Sequence, residues 1–512
     1  MSMTPTTPGP KEPKEIVHAD GRVELDPAVE AELEKSPLYN HDLAPVRVAD
    51  RTWSTYNFAA LWISMAHCIP TYFITAKLLE DGMSWAQALF TVALGNIIVL
   101  FPILANSHPG TKYGIPFPVY ARAAYGTGGA NLPAIMRALV ACGWFGIQCW
   151  IGGEALDTFL RSLWPGWATA LGGAVGGHRP GEWISFLAFW GLNILIVYRG
   201  MDLLRRVENW AAPFVLVMTA ILLGWAIWRA QGLGPILAQK GRFGSAGEFL
   251  GVFVYHLTAM IGYWATLSLN MPDFTRYGRS QREQMVGQVV ALPTTMTVFA
   301  GMGVFITSAT AIIYGRQIWD PVELVGQFKE PWIVAIAMFT IVVATLSVNI
   351  AANVVSPAND FANAFPRHIT FARGGLITGV VGILMCPWKL LEGSAIYGWL
   401  VGYSGGLAAI AGVLITDYFL VRKKALVLAD LYRDRGVYYY RGGWNGVAVV
   451  ATLVGCLVAW MGPIMSFIGT HVPALAPPPA LGRFFNGLFD YAWFVGFGIS
   501  AGIYRAGMKG KA

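Results

Sequence analysis

The chain has 512 residues, of which 55% are hydrophobic and 13% charged, and a mean hydropathy of +0.51. Soluble domains carry about 25% charged residues, so the missing charge has to be replaced by surface that faces lipid, which excludes an ordinary globular enzyme. The apolar residues come in unbroken runs of roughly 20 rather than alternating ten-residue segments, which excludes an outer-membrane barrel and leaves an all-α polytopic membrane protein.

The formal charge is +7, but the basic residues are scattered one to three at a time between apolar runs, a pattern of membrane topology and not of nucleic-acid binding. Residues 1–50 are rich in Pro, Lys, Glu and Asp and contain no apolar h-region. They read as a disordered cytosolic tail with no cleavable signal peptide. Apolar runs then begin near Asn57, Trp85, Leu132, Trp183, Trp210, Phe249, Gln288, Trp332, Gly374, Ala395, Trp444 and Phe484, giving about twelve membrane helices. An even count places both ends on one side. With the N-terminus inside, the inner segments hold about 22 Lys/Arg and the outer loops about 10, so both termini are expected in the cytosol and the protein in the inner or plasma membrane. The membrane domain covers 51–506, followed by a short cytosolic tail, 507–512. All five cysteines, Cys68, Cys142, Cys149, Cys386 and Cys456, lie in apolar runs without a CxxC or Cys/His cluster; neither disulfides nor a resident metal is expected.

Two spans look broken. In the first, Pro70 falls in mid-span after Ser64-Met65-Ala66-His67-Cys68-Ile69, where it removes a backbone donor. In the sixth, Gly262 interrupts the run. These two helices occupy equivalent places if residues of about 55–230 and 247–420 form two inverted five-helix repeats, with two extra helices over about 443–504. The alternative is that Pro70 merely kinks a packed helix.

The third span carries Trp144 and Gln148 one turn apart on one face. Gln148 offers a donor and an acceptor, matching the edge of a cyclic amide or ureide, and Trp144 can stack on its flat face; a Gln that only joins two helices is an equal reading. Asn349, Asn353, Ser356 and Asp360 form a helical stripe on the eighth span, beside Ser347, lining either an interhelix seam or a permeation path. Trp264 follows the break in span six and supplies a second indole. His67 and His256 lie deep in spans near the breaks and could exchange protons, although a neutral histidine held by a backbone carbonyl is the commoner case. Asp157 reads as the ion-pair partner of Arg161, whereas Glu154 stays a candidate for proton coupling. Asp273, Arg276 and Asp417 read as boundary or gate residues. HExxH, GxSxG and Walker sequences do not occur, so hydrolysis and ATP-driven pumping have no residues to carry them, and no enzyme activity is expected.

Several blocks resemble the nucleobase:cation symporter-1 family, which includes hydantoin, allantoin and uracil permeases. They are Leu61-Trp62-Ile63-Ser64-Met65-Ala66; Tyr113-Gly114-Ile115-Pro116-Phe117-Pro118-Val119 with Ala121-Arg122; Cys142-Gly143-Trp144-Phe145-Gly146-Ile147-Gln148; Pro272-Asp273-Phe274-Thr275-Arg276; Asn349-Ile350-Ala351-Ala352-Asn353; and Asp417-Tyr418-Phe419-Leu420-Val421-Arg422. The resemblance implies a LeuT-like fold of two inverted five-helix repeats with broken helices one and six plus two C-terminal helices, working by alternating access. It implies that Trp144 and Trp264 are stacking indoles and that Gln148 and Asn353 are substrate-binding amides. Cys68 stands where some members place a glutamine. The cation site of sodium-coupled members corresponds here to carbonyls of Ser64, His67 and Ala344 and to hydroxyl positions at Ser347 and Val348. Val348 cannot ligate, and a hard cation wants oxygen, so proton coupling through His67 or Glu154 stands level with sodium.

The expected function is import of a small planar ring such as allantoin, hydantoin or uracil, coupled to Na+ or H+, with lipid and the two solutes as the partners. A purine, cytosine or thiamine permease of the same family and a non-transporting nutrient receptor are the alternatives. No organic cofactor is expected, and the sequence leaves the oligomeric state open.

Overall fold

A computed structural model describes residues 15–169, 172–199, 201–391 and 395–510, and the side chains of these except 73, 201–213 and 473. Among the described residues, seven helices are long and apolar enough to cross a membrane, and two bent pairs bring the number to nine if each is one span. The shorter apolar helices Phe214–Arg229 and Phe371–Leu384 and the helix Ala492–Gly507 fall in three further apolar runs of the twelve read from the sequence. The run expected from Phe484 is in fact two helices, Pro479–Phe489 and Ala492–Gly507.

Local sequence sets the helix ends. Ser84 and Gln87 form a reciprocal capping box at the start of span two, Trp85–Tyr113, which ends on Gly114 in the left-handed region (φ 70°). A Cβ there would also lie 2.6 Å from the Arg51 Nη2 atom, so glycine is required twice over. Span one is two helices, Thr55–Ala66 and Ile69–Glu80, bent by 69°. Pro70 occupies the second position of the second half, where its missing N–H is no loss. Span six bends by 44° between Ala246–Tyr263 and Leu267–Thr275. Span eight has a milder interruption at Val354, between Pro331–Asn353 and Val355–Ala364. Pro357 lacks the N–H that would bond the Asn353 carbonyl four residues back, and the helix restarts there.

Span three, Asn131–Leu163, packs lengthwise on span eight, and span ten, Ala395–Ile415, on the last helix. The close approach of spans six and ten rests on Gly262, where a Cβ would sit 2.9 Å from the Leu400 carbonyl oxygen.

The disorder expected over 1–50 does not hold for residues 15–50; residues 1–14 lie outside the described part. Glu15–Val17 and Val23–Leu25 pair as an antiparallel hairpin, followed by the helix Pro27–Leu33 capped by Asp26. The segment is tied to the bundle by polar contacts: Asn40 Nδ2 donates to the carbonyls of Pro366 (2.8 Å) and Ile369 (3.2 Å), and Tyr432 Oη donates to that of Leu43 (2.7 Å). Buried Arg51 donates to the carbonyls of Val46, Thr111 and Val23, and burial pushes its guanidinium pKa down to about 10. This end of the bundle is called the N-terminal face below.

Candidate functional site

The break in span one is made by competition for one carbonyl. Cys68 N–H turns to the Ala66 carbonyl (3.1 Å) instead of reaching four residues back to Ser64, and the Thr71 hydroxyl donates to the same oxygen (2.9 Å). Helical geometry therefore stops at Ala66, with His67 at φ −84°, ψ 76°. The Cys68 thiol lies 2.9 Å from the Tyr263 hydroxyl, which is 3.2 Å from that of Thr71.

Around this break the structure brings Trp144, Gln148, Trp264 and Cys68 together. The ring of Tyr263 stands edge-on between the two indoles, 5.4 Å from Trp144 and 4.8 Å from Trp264, centre to centre. Trp144 Nε1 donates to Tyr403 Oη (3.1 Å), and that hydroxyl donates to the Gly262 carbonyl (2.9 Å) at the span-six break. Gln148 is buried beside Cys68. Its Oε1 and the Nε1 of Trp264 have no hydrogen-bond partner among the described residues. Buried polar groups are usually paired, so an acceptor on span three and a donor on span six are left over beside the break. Asn353 is more constrained: its Nδ2 donates to Asn349 Oδ1 (3.1 Å), and Asn349 donates to Asn193 Oδ1 (3.1 Å). The expected stripe on span eight thus divides, with Asn349 joining helices and Asn353 at its edge.

Tyr263, Tyr403 and Trp399, whose ring centre lies 5.2 Å from that of Trp144, were not anticipated. Tyr263 precedes Trp264 at a helix break, a signal that could have found it. Trp399 and Tyr403 lie on a continuous apolar helix and carry no local signal.

Ser64, His67, Ala344, Ser347 and Val348 line one cavity of about 20 Å³, closed by Ile63, Val215 and Leu216. That volume suits one water or small ion. Of the two hydroxyl positions the resemblance implied, Ser347 carries an oxygen and Val348 only methyl groups. His67 Nε2 lies 2.7 Å from Thr219 Oγ1, and its ring packs edge-on against Phe299 at 4.5 Å, a satisfied core arrangement. The cavity also adjoins a larger apolar chamber of about 510 Å³, walled by Tyr72, Trp225, Phe299 and Trp332 among others.

On the face opposite the N-terminal one, Glu154, Asp157 and Asp320 line a polar vestibule of about 580 Å³. Asp157 is bonded to Arg161 (2.9 Å), as expected, and also to Arg179 (2.5 Å) and Trp167 Nε1 (2.9 Å). Glu154 accepts from Trp150 Nε1 (2.7 Å). Burial pushes the Asp320 carboxyl up to about 6. His256 Nε2 lies 3.2 Å from Asp81. Of the boundary residues, Asp417 is buried and held by Arg422 (2.8 Å) and Tyr504 Oη (2.7 Å), a structural clamp and not a gate. Asp273 and Arg276 line a cavity of about 680 Å³ on the N-terminal face, together with Asp42 and Asn359.

A family model described as permease for cytosine/purines, uracil, thiamine, allantoin matches residues 45–496. The allantoin permease of Bacillus subtilis (strain 168) is 40% identical over 484 residues, covering 94% of this chain and 95% of that protein. The purine-uracil permease NCS1 of Arabidopsis thaliana is 41% identical over 475 residues, covering 91% of this chain and 77% of that protein. Mhp1 in an inward-facing conformation superposes with a TM-score of 0.72 at 26% identity, over 93% of this chain and 94% of its own. With this coverage, the chain belongs to the nucleobase:cation symporter-1 family of permeases for cytosine/purines, uracil, thiamine and allantoin.

Proposed function

We propose that this chain imports a small planar ring of the ureide or nucleobase class, with allantoin, hydantoin and uracil as the leading candidates, and that the driving ion is the proton. The N-terminal face is cytosolic in this reading, the membrane is the inner or plasma membrane, and the halves of about 55–230 and 247–420 are the inverted repeats that rock against each other.

The observation that carries the reading is the pair of unpartnered buried atoms, Gln148 Oε1 and Trp264 Nε1, among the rings of Trp144, Tyr263 and Trp264. A cyclic amide has an N–H for the one and a carbonyl for the other, and two flat faces for the indoles. Asn353 turns a second amide to the ring, and Cys68 with Tyr263 provides a thiol–hydroxyl pair where other members place a glutamine. The relatives named for allantoin and for purines and uracil support the class of solute. Desolvation and stacking supply affinity, while selectivity comes from the amide, since leaving it unpaired costs about 1–3 kcal/mol. The proton is favoured over sodium because Val348 removes one oxygen from the small cavity.

The test is uptake of radiolabelled allantoin, hydantoin and uracil into vesicles under an imposed proton or sodium gradient. Accumulation of one of them above equilibrium under a proton gradient alone is the expected result. Absence of uptake of all three under either gradient refutes the reading.

A further inference from the structure

Two turns into span three, Arg137 meets Asp360 of span eight in the interior of the bundle. Both are 0% exposed, and Arg137 Nη1 lies 3.6 Å from Asp360 Oδ2, inside ion-pair range and outside hydrogen-bond range. Among the described residues, all three guanidinium nitrogens of Arg137, both carboxyl oxygens of Asp360, Oδ2 of Asp273, Oδ1 of Asn270 and Nδ2 of Asn359 have no hydrogen-bond partner. The same fold shows what a structural buried charge looks like. Arg122, also 0% exposed, donates to Asn363 Oδ1 (2.7 Å) and to the carbonyls of Leu431 (2.9 Å) and Leu38 (3.2 Å), and Asp417 is clamped by Arg422 and Tyr504. A buried ion pair left without such bonds is costly, and ionisable groups inside a span mark functional paths.

Three elements converge here. Asp273, at the end of span six, accepts from Phe117 N–H (3.0 Å) through Oδ1 and lies within reach of the Ser356 hydroxyl, with Arg276 and Arg137 close enough to act on it electrostatically. Asp273 and Asn359 line the cavity of about 680 Å³ on the N-terminal face, so the cluster borders a route out of the bundle. Titratable or charged groups on the elements packed against the helix of Asp360 include Cys142 of span three, which also feels its charge, Tyr120, Arg122 and Tyr125 of the helix Phe117–Tyr125, Arg373, and His41 and Asp42 of the N-terminal segment; Cys149, Glu154, Asp157 and Arg161 lie further along span three. Asp42 is engaged by Phe371 N–H (2.9 Å) and Arg373 by the His368 carbonyl (2.6 Å).

We propose that Asp360 is the proton-carrying carboxyl of the transport cycle and that Arg137 is its switchable counter-charge. The proposal rests on the transport reading given above and goes beyond it by moving the coupling proton from His67 or Glu154 to a site one helix away. Binding one proton converts the Asp360 carboxylate to the neutral acid and frees Arg137 to turn toward Asp273 across the span-three/span-six contact. Release of that proton to the N-terminal-face cavity restores the Arg137–Asp360 pair. The two pairings bias the two positions of span six against spans three and eight, which couples protonation to access.

The test uses the full chain in proteoliposomes with radiolabelled allantoin, hydantoin and uracil. Asp360→Asn is expected to lose proton-driven accumulation above equilibrium and to make solute exchange at equal concentrations independent of pH between about 5 and 8, while exchange itself continues; Asp360→Glu is expected to restore accumulation. Retained accumulation in Asp360→Asn overturns the proposal, as does loss of exchange in both variants. If the variants do not fold, the native chain decides: dicyclohexylcarbodiimide, which modifies protonated buried carboxyls, is expected to label Asp360 less as pH rises, and absence of label there at any pH overturns the proposal. A native chain that neither exchanges nor accumulates any of the three solutes refutes the transport reading instead, and the labelling result is then read on its own.

Discussion

Replacing Val348 with threonine tests the small cavity most directly. Val348 is 4% exposed and shares about 20 Å³ with Ser64, His67, Ala344 and Ser347. Threonine keeps the shape and exchanges one methyl for a hydroxyl, so packing is preserved while chemistry changes. A contact between a neutral oxygen and a charged group is worth about 1.5–3 kcal/mol. Burying the hydroxyl offsets part of this, because its own proton must find an acceptor, and the Ala344 carbonyl one turn back is available for that. A net gain of about 1–2 kcal/mol corresponds to a five- to thirty-fold increase in sodium affinity. The assay is a sodium titration of intrinsic tryptophan fluorescence in the reconstituted protein, with allantoin present and absent, alongside uptake under a sodium gradient. Val348→Ala enlarges the cavity without adding oxygen and is expected to leave the sodium response at the native level. An unchanged response in Val348→Thr refutes the assignment of this cavity to a cation.

Gln148→Ala is expected to weaken solute binding by about 1–3 kcal/mol, or roughly 5- to 150-fold, with folding retained, as read by equilibrium binding and by the melting temperature; near-native affinity removes Gln148 from the site. His67→Asn is expected to leave the pH profile of uptake unchanged and to lower the melting temperature, because the ring serves Thr219 and Phe299; a displaced profile returns the proton to His67. Asp320 has a folded pKa of about 6 against an ordinary 3.8, so its contribution to stability is fully present below about 3.8 and lost as pH rises through 6. Asp320→Asn keeps an oxygen for the Val322 N–H (2.8 Å) and is expected to gain stability over the native chain above pH 6, by at most about 3 kcal/mol, but not at pH 4; equal melting curves at both pH values contradict this. Gly262→Ala is expected to lose uptake, since its Cβ would lie 2.9 Å from the Leu400 carbonyl oxygen and 3.1 Å from Ser404 Cβ; native-rate uptake contradicts that packing.

Span positions were legible because an apolar run long enough to cross lipid has few other uses, and the breaks in spans one and six were legible because Pro70 and Gly262 are local causes. The interruption at Val354 was missed although Pro357 signals it, because that proline follows a polar stripe that reads as a continuous helix. The order of residues 15–50 was invisible for a different reason: its partners, such as Pro366, Ile369 and Tyr432, lie more than 300 positions away, and charged, proline-rich composition describes the segment alone and not its anchorage. Trp144 with Gln148 and Asn349 with Asn353 were read from neighbours one turn apart, Trp264 from its place after the break, and their roles from the family resemblance. Tyr263 between them was not, since only the bend of span six turns it there. Asp417 looked like a gate because it ends a span, and Tyr504 of the last helix makes it a clamp.

The bend of 69° in span one gives the bundle centre a field as well as a cavity. Cut at Ala66 and restarted at Ile69, the span presents a carbonyl end and an amide end to the interior, equivalent to roughly half a negative and half a positive elementary charge. The negative end lies at the small cavity beside Ser64 and His67, and the positive end starts at Cys68, next to Tyr263 and Gln148. An apolar membrane interior thereby holds opposite poles a few residues apart, one attractive to a cation and one to a ring carbonyl, and both arise from the backbone, with the His67 ring turned to Thr219 and Phe299. A straightened span would cancel both poles at once, which ties recognition of the ion and recognition of the ring to the same stretch of backbone.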